Sequence, residues 1–490
     1  MLTRDEILAI YESGPEAVVA LIEQMQATLV ALTARVQELE ARRAKDSHNS
    51  SKPPSSDGLA KKPKSLRPAT GQSGRNSGGQ PDHPGRTLRW EAHPDHVITH
   101  RPTACAGCGA DLQEVPDDLA DGLEGGVTRR QVHDLPPLRL LVTEHQALCR
   151  TCPHCQKLNR GTFPDSVKKP VQYGPQLQGL CIYLQLYQLL PFSRTCQLLR
   201  DVFDCSLCQG TLANIQALCH ARLASVESAI CAAISASDVA HFDETGMREQ
   251  NRLHWFHSAS TQKLTHYASH AKRGRVALDA HALLPAFRGT AVHDSFVSYF
   301  GYTDCTHALC NAHLLRELIA VQEQGNQPWA GELAALLREI KHAAESAQTA
   351  GRTHLTPEQQ SAFTARYQAL LNQGLESNPP PAASGKKKSR GRPKQSTAKN
   401  LLDRLSRYQS EVLRFMTDLA VPFDNNLAER DLRMVKVRQK VSGCFRSAQG
   451  AAMFCRIRGY ISTLRKQGCS LLSALQSVFA GDSLCPLSLT

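Results

Sequence analysis

Apolar residues recur at alternating steps of four and three through Val18, Ile22, Met25, Leu29, Leu32, Val36 and Leu39. That is the heptad seam of a coiled coil, sustained for about three heptads. So short a seam is marginal alone, and it predicts that residues 1–45 bury it against a second copy. The periodicity then stops. Residues 46–101 carry Asn49-Ser-Ser-Lys-Pro-Pro-Ser-Ser56, Lys61-Lys-Pro-Lys64 and a Gly-rich run to Gly85. Such a composition cannot bury enough apolar surface to order itself, and it reads as a basic linker whose cations can lie along phosphates. From Tyr173 to Ala233 the period is helical again, with Leu177, Leu180, Ile182, Tyr183 and Leu186 on one helix. Ser193 caps a second through Leu198, Leu199 and Val202, and Gly210 opens a third. Short helix, turn, helix suits DNA binding, and it equally suits any helical bundle. Cys205 and Cys208 fall inside this stretch as a lone pair and read as buried packing rather than a metal site.

From Ser237 the pattern becomes strand-like over Asp238–Asp243, Arg252–Ser258 and Leu264–Ser269. A helix from Ala277 to Phe287 leads into Gly289-Thr-Ala-Val-His-Asp294. An acid therefore closes the first and the fourth strand. Neighbouring strand ends lie close together in a mixed α/β sheet, so Asp243 and Asp294 converge. Two converging carboxylates are the minimum for hard divalent cations. A pair of such ions supports phosphoryl transfer by activating an attacking oxygen and stabilising a leaving one. A third acid comes from Phe423-Asp-Asn-Asn-Leu-Ala-Glu-Arg-Asp431. Asp424 resembles an N-cap, Glu429 lies a turn into the helix, and Asp431 lies on a different face. Helix geometry favours Glu429, with Asp424 second. Taken singly, each acid is a common turn or cap residue, and only the constellation points to chemistry.

Trp329 to Gln373 is rich in Ala, Leu, Glu and Arg, a helical insertion between the fourth strand and the last acid. It runs into Lys386-Lys-Lys-Ser-Arg-Gly-Arg-Pro-Lys394. Arg390 and Arg392 there resemble the core of an AT-hook, which lays arginines into a narrow minor groove. Beyond Glu429, a basic row of Arg430, Arg433, Lys436, Arg438 and Lys440 is placed to hold a scissile strand. Arg446, Arg456, Arg458, Arg465 and Lys466 follow, and part of this row is simply a solvated face.

Composition sharpens the picture. The 490 residues exceed one ordinary core, so two to four units are expected. A net charge of +12 points to a polyanionic partner, most simply nucleic acid. No segment reaches the apolar length of a membrane span, and Met1–Gly14 lacks the layout of a signal peptide, so a cytosolic protein is expected. The 17 cysteines then read as metal ligands rather than a disulfide framework. Cys105-Ala-Gly-Cys108 and Cys149-Arg-Thr-Cys152-Pro-His-Cys155 flank Arg139–Ala147, which reads as a strand. Two such knuckles make a four-thiolate zinc ribbon. Cys152/Cys155 is preferred to Cys149/Cys152, because Cys-Pro-His-Cys has the tighter turn.

His241-Phe-Asp-Glu-Thr-Gly246, Val292-His-Asp-Ser-Phe-Val-Ser-Tyr299, Leu309-Cys-Asn-Ala-His-Leu-Leu-Arg-Glu-Leu318 and Pro422-Phe-Asp-Asn-Asn-Leu-Ala-Glu-Arg-Asp-Leu-Arg433 together resemble the transposases of insertion-sequence family sixty-six. The Ser-Ser-Lys-Pro-Pro-Ser-Ser run, the zipper, the knuckles and Lys440-Val-Ser-Gly-Cys-Phe-Arg446 extend the resemblance over nearly the whole chain. Two departures are Asp82, where the family's linker has Gly, and Cys149, which is extra to two Cys pairs. The resemblance implies a ribonuclease H-like core of the Asp-Asp-Glu type. Its acids fall on Asp243, Asp294 and Glu429 and hold magnesium or manganese, while Cys105, Cys108, Cys152 and Cys155 hold structural zinc.

The expected fold class is thus multidomain α/β. A coiled coil (1–45) and linker (46–101) precede a zinc-binding domain (102–165) and a helical, helix-turn-helix-like region (166–236). The catalytic core follows in two parts, 237–320 and 401–480, split by the helical insertion with its basic linker (321–400), and 481–490 is a tail. The expected function is transposition of a bacterial insertion element in the cytoplasm, at the nucleoid. The partners would be element ends, target DNA, further copies in a dimer or larger synaptic complex, and accessory proteins of the same element. The rivals are a non-catalytic zinc-containing DNA-binding regulator and a nuclease of the same fold.

Overall fold

The computed structural model describes residues 4–44, 88–116, 129–325, 327–380 and 395–481. The linker from 45 to 87 and the segment holding Arg390 and Arg392 lie outside the described residues. The chain divides into two compact units. One is Ser65–Val142 with Val202–Asp204, and the other is Met1–Lys64, Thr143–Asp201 and Cys205–Thr490.

In the smaller unit the described residues hold no long element. Thr103–Leu112 forms a tight loop in which Cys105 N–H donates to Ala110 and Gly109 N–H to Cys105, with Gly109 at φ +77°. The positive φ is cheap for glycine and closes the turn.

The larger unit begins with helices α1 (Arg4–Glu12) and α2 (Pro15–Ala44). Along α2 the residues Ile22, Met25, Leu29, Leu32, Val36 and Leu39 are all about half exposed. A short hairpin follows, β1 (Cys149–Thr151) paired antiparallel with β2 (Leu158–Arg160). The strand expected over Arg139–Ala147 is absent, because these residues find no ladder partner; Leu141 and Val142 are almost fully exposed.

Four helices come next: α3 (Pro175–Ile182), α4 (Phe192–Phe203), α5 (Gln209–Arg222) and α6 (Ala224–Ser235). Pro175 at the first position of α3 fits because its missing N–H has no helical partner there. Ser193 sits inside α4 rather than capping it. Of the lone cysteine pair only Cys205 is buried; Cys208 is exposed and caps α5, its sulfur accepting from Thr211 N–H at 3.4 Å. Short polar side chains normally fill that cap, and here the thiol does so, which overturns the expectation of buried packing for Cys208.

The centre is a five-stranded sheet in the order β5-β4-β3-β6-β7. Its strands are β3 (Val239–Glu249), β4 (Arg252–Ser260), β5 (Thr265–His270), β6 (Thr290–His293) and β7 (Thr306–Leu309). β3, β4 and β5 are antiparallel neighbours, while β6 and β7 run parallel to β3. Two short helices, α7 (Arg275–His281) and α8 (Leu283–Ala286), stand where one was expected. Ala282, at φ +57°, breaks them. On one face of the sheet Ala240, Phe242, Ala259 and Ala291 pack against Ile230, Ile234, Leu278, Leu283 and Leu284.

Helices α9 (Asn311–Gly325), α10 (Pro328–Thr349), α11 (Pro357–Ser377), α12 (Thr397–Arg407) and α13 (Gln409–Thr417) follow. They share a core of their own around Trp329, Leu337, Tyr367, Leu402 and Phe415. These helices thus bury their apolar stripes mainly against one another, and the cluster meets the sheet at its edge, where α13 lies on β7 and Leu309 joins the core. The last three helices are α14 (Asn426–Ser442), α15 (Ala448–Lys466) and α16 (Leu471–Ala480). α14 lies against β3 and β4, and α15 against β5. No single helix among the described residues is long and apolar enough to cross a membrane.

Candidate active site

Asp243 lies in the middle of β3, not at its end as the alternation suggested, because β3 continues to Glu249 against β4. Its parallel pairing with β6 is shorter. It stops at His241 opposite Val292. Two residues further on, Asp243 stands level with Asp294, both just past the paired segment, where the two strands part. The Asp243 carboxylate accepts the N–H of Glu244 at 2.8 Å, and that of Asp294 accepts the N–H of Phe296 at 2.9 Å.

The N-terminus of α14 is pinned to this place by Asn425. His241 Nδ1 donates to the Asn425 side-chain oxygen at 2.8 Å, and the Asn425 amide donates to the Phe242 carbonyl at 2.8 Å. The N-cap position therefore falls on Asn425, while Asp424 accepts the N–H of Asn426 at 3.0 Å just outside the helix. Glu429 lies a turn further on, with Arg316 Nη2 at 3.3 Å and His313 Nδ1 at 3.6 Å from one of its oxygens. Asp431 points elsewhere. Its carboxylate accepts from Ser260, Thr265 and Lys466, and its backbone oxygen from the Tyr267 hydroxyl.

The acids are crowded unevenly. Burial pushes the Asp243 carboxyl well above the usual range, and Glu244, Asp294 and Glu429 push it further. Asp294 is raised by burial as well, against the N–H of Phe296 and the cations Arg273 and Arg404. Glu244 is raised by burial and by Asp294. Like charges gathered in a poorly solvated place favour either protonation or a bound cation.

Several residues of this centre have roles that their sequence positions do not announce. Arg273, just after β5, reaches Glu244 at 2.6 Å and Asp294 at 3.9 Å. Its guanidinium stacks on Phe296 (4.0 Å to the ring centre) and Trp255 (4.9 Å). The Tyr299 hydroxyl donates to the other Glu244 oxygen. Arg316 and His313 belong to the Leu309–Leu318 motif, but nothing in their spacing relates them to a carboxylate more than a hundred positions away. Behind Asp243 a small cavity of about 30 Å³ is lined by Phe242, His257, His266, His281 and Tyr299.

The basic row after Glu429 divides. Arg430, Arg433 and Lys440 are exposed. Lys436 donates to the Gly246 carbonyl, and Arg438 stacks on Phe445 at 3.6 Å and donates to the Gly443 carbonyl. Of the later cations, Arg456 pairs with Glu227 at 2.6 Å and Arg458 is buried against the Leu186 carbonyl. Lys436 thus ties α14 to β3, whereas Arg456 and Arg458 tie α15 to the helical region ahead of the sheet.

The two cysteine knuckles have the same local design. The backbone N–H groups of Cys108 and Gly107 point at the Cys105 sulfur and lower its pKa. Those of Cys155 and His154 do the same for Cys152. Gln156 N–H closes the second turn on the Cys152 carbonyl with φ +57°, in the role Gly109 plays in the first. Cys149 instead lies in β1 opposite Arg160.

A family model described as Transposase IS66 family matches residues 170–453, more than half of the chain. The chain belongs to the IS66 family of transposases. The matched span contains Asp243, Asp294 and Glu429, the sheet and the helical insertion. A second model, for a family of unknown function (DUF6444), matches residues 11–89, which include α2 and its exposed seam. No curated protein matches. Membership makes the chain a transposase by family, of the class of enzymes that cut DNA and join strands.

Proposed function

We propose that the chain excises and inserts a bacterial insertion element, with Asp243, Asp294 and Glu429 as the catalytic acids. The observation that carries this is the gathering of three carboxylates, from β3, the end of β6 and the first turns of α14, close enough that Asp294 and Glu429 both raise the buried Asp243. The donor set consists of hard oxygens, which suits magnesium or manganese. Asp243 and Asp294 would hold the ions jointly and Glu429 one of them. Held there, such ions would supply Lewis-acid chemistry to the attacking and leaving oxygens. The chain's own part is to orient the acids. Asn425 fixes α14 against β3, and Arg273 steadies Glu244 and Asp294. Water would attack the phosphodiester at the element's end, and the freed 3′ hydroxyl would then attack target DNA. The strand order, with three antiparallel strands followed by two parallel ones, supports a ribonuclease H-like core.

DNA would lie along the exposed Arg430, Arg433 and Lys440, with further contact from Arg390 and Arg392. Structural zinc would take its thiolates from the knuckles, Cys105 with Cys108 in the smaller unit and Cys152 with Cys155 in the larger. The exposed seam of α2 supports self-association, as a dimer or larger synaptic complex in the bacterial cytoplasm. Cleavage of labelled element ends in magnesium tests the central claim. Alanine at any of the three acids should abolish cutting while end binding persists. Retained cutting by Asp243→Ala would sink it. A strand-transfer assay on pre-cleaved ends separates a transposase from a nuclease of the same fold.

A further inference from the structure

Glu429 has two neighbours that magnesium does not ask for. Cys310, Nδ1-bearing His313 and Glu429 offer a thiol, an imidazole and a carboxylate whose ligand atoms all lie within 4.8 Å of one another. We propose that these three side chains form a zinc site, separate from the cysteine knuckles.

The local structure prepares the site. Cys310 is the single residue between β7 and α9, so Cys310 and His313, three residues apart at the helix start, lie on one side of it. The Cys310 sulfur accepts the N–H of Asn425 at 3.1 Å, at the start of α14. Burial pushes the Cys310 thiol up to about 12, against the N–H groups of Asn425 and His313 at the two helix starts, so a metal bound here has to displace the thiol proton. His313 Nδ1 is buried and makes no hydrogen bond. It stands 3.6 Å from the Glu429 oxygen, too far for a good hydrogen bond. Two donors about 2.1 Å from a tetrahedral ion stand roughly 3.4 Å apart, so the gap fits an ion between them. A sulfur, a nitrogen and an oxygen select zinc over magnesium, which takes oxygen ligands. Three protein ligands leave a fourth position open. Arg316 shares the same Glu429 oxygen and would have to yield it or hold it jointly.

The site stands whether or not the acids cut DNA. Only its consequence rests on the proposed function: zinc here and magnesium at the acids would draw on the same Glu429, so zinc should oppose cleavage.

The test is the metal content of the full chain after equilibration with zinc, in wild type, Cys310→Ser, His313→Ala and a knuckle variant, Cys105→Ser with Cys152→Ser. Cys310→Ser and His313→Ala should each carry about one zinc fewer than wild type. The knuckle variant should keep that ion. Loaded with cobalt(II), the knuckle variant should retain visible tetrahedral bands with sulfur charge transfer, and Cys310→Ser added to it should remove them. Equal zinc content and equal cobalt spectra in wild type, Cys310→Ser and His313→Ala would overturn the site. Should those variants misfold, Glu429→Gln on its partly exposed face serves instead. In the knuckle variant it should weaken the cobalt binding that gives the sulfur charge-transfer band by about tenfold or more, with melting moved by no more than about 1–2 °C. Undiminished cobalt affinity there overturns the site as well. Magnesium-dependent cleavage, measured in parallel, reports on the catalytic reading independently.

Discussion

Asp431→Ala and Glu429→Ala should fail in opposite ways, although the two acids are two residues apart on α14. The Asp431 carboxylate accepts Ser260 Oγ at 2.7 Å, Thr265 Oγ1 at 3.1 Å and Lys466 Nζ at 2.7 Å. Only 12% of the Lys466 side chain and 13% of the Asp431 side chain is exposed. Removing one partner of a buried ion pair costs about 3–5 kcal/mol, because the other charge is left uncompensated. Lys466 keeps the carbonyls of Thr261 and Leu264, which puts the loss at the lower end, about 3 kcal/mol. For a unit of roughly 400 residues, that lowers the melting temperature by about 3–5 °C. Glu429 is a third exposed, and its pairing with Arg316 is worth about 1 kcal/mol or less. Its loss should move melting by no more than about 1–2 °C. Thermal unfolding followed by circular dichroism, paired with magnesium-dependent cleavage at 25 °C or below, separates the two. Asp431→Ala should melt early yet cut while folded, whereas Glu429→Ala should melt normally and not cut. An Asp431→Ala protein that melts like wild type and does not cut, beside a Glu429→Ala protein that does, would reverse the assignment.

Four further outcomes follow from the same geometry. Asp243→Asn should melt above wild type in metal-free buffer at neutral pH while losing cleavage. A carboxyl raised in the fold contributes stability in its protonated form, present at low pH and lost as pH rises, so the difference should close on acidification; equal melting at neutral pH would refute the crowding. His257 and His281 are pushed down to about 4 and about 3, chiefly by burial. Groups lowered in this way contribute stability above the ordinary histidine value that is lost as pH falls, so His281→Leu should move acid unfolding to lower pH in melts recorded between about pH 7 and pH 4. Gly289→Ala should destabilise by about 3 kcal/mol or more and reduce cleavage, because a Cβ there meets the backbone carbonyls of Ser237 and Asp238 and pushes β6, with Asp294, off β3; urea unfolding measures it. Leu29→Glu with Leu32→Glu should lower the sedimentation mass to that of a single chain if the α2 seam joins copies, and an unchanged mass would remove that role.

The sequence announced elements whose partners are local and left silent those whose partners are remote. The α2 seam was legible because its period lies within one helix. β3, β4 and β5 were legible because each has enough residues to show alternation. β7 was not, since Thr306-His-Ala-Leu309 is too short for a period and is a strand only because β6 lies beside it. Arg139–Ala147 failed for the converse reason: its pattern suited a strand, but a strand needs a ladder, and none is there. The acids show the same division. Glu429 and Asp431 stand about 200° apart around a helix, so sequence alone tells that they face different ways. Which of them faces Asp243 depends on how α14 rolls on the sheet. That roll is set by Asn425 gripping His241 and Phe242 on one side and by Lys466, Ser260 and Thr265 gripping Asp431 on the other. Lys436 and Arg438 look like ligand-facing cations in sequence for a related reason. Long stems let a cation cross an apolar face and end on a backbone carbonyl, so a positive charge on a helix does not say which way it points.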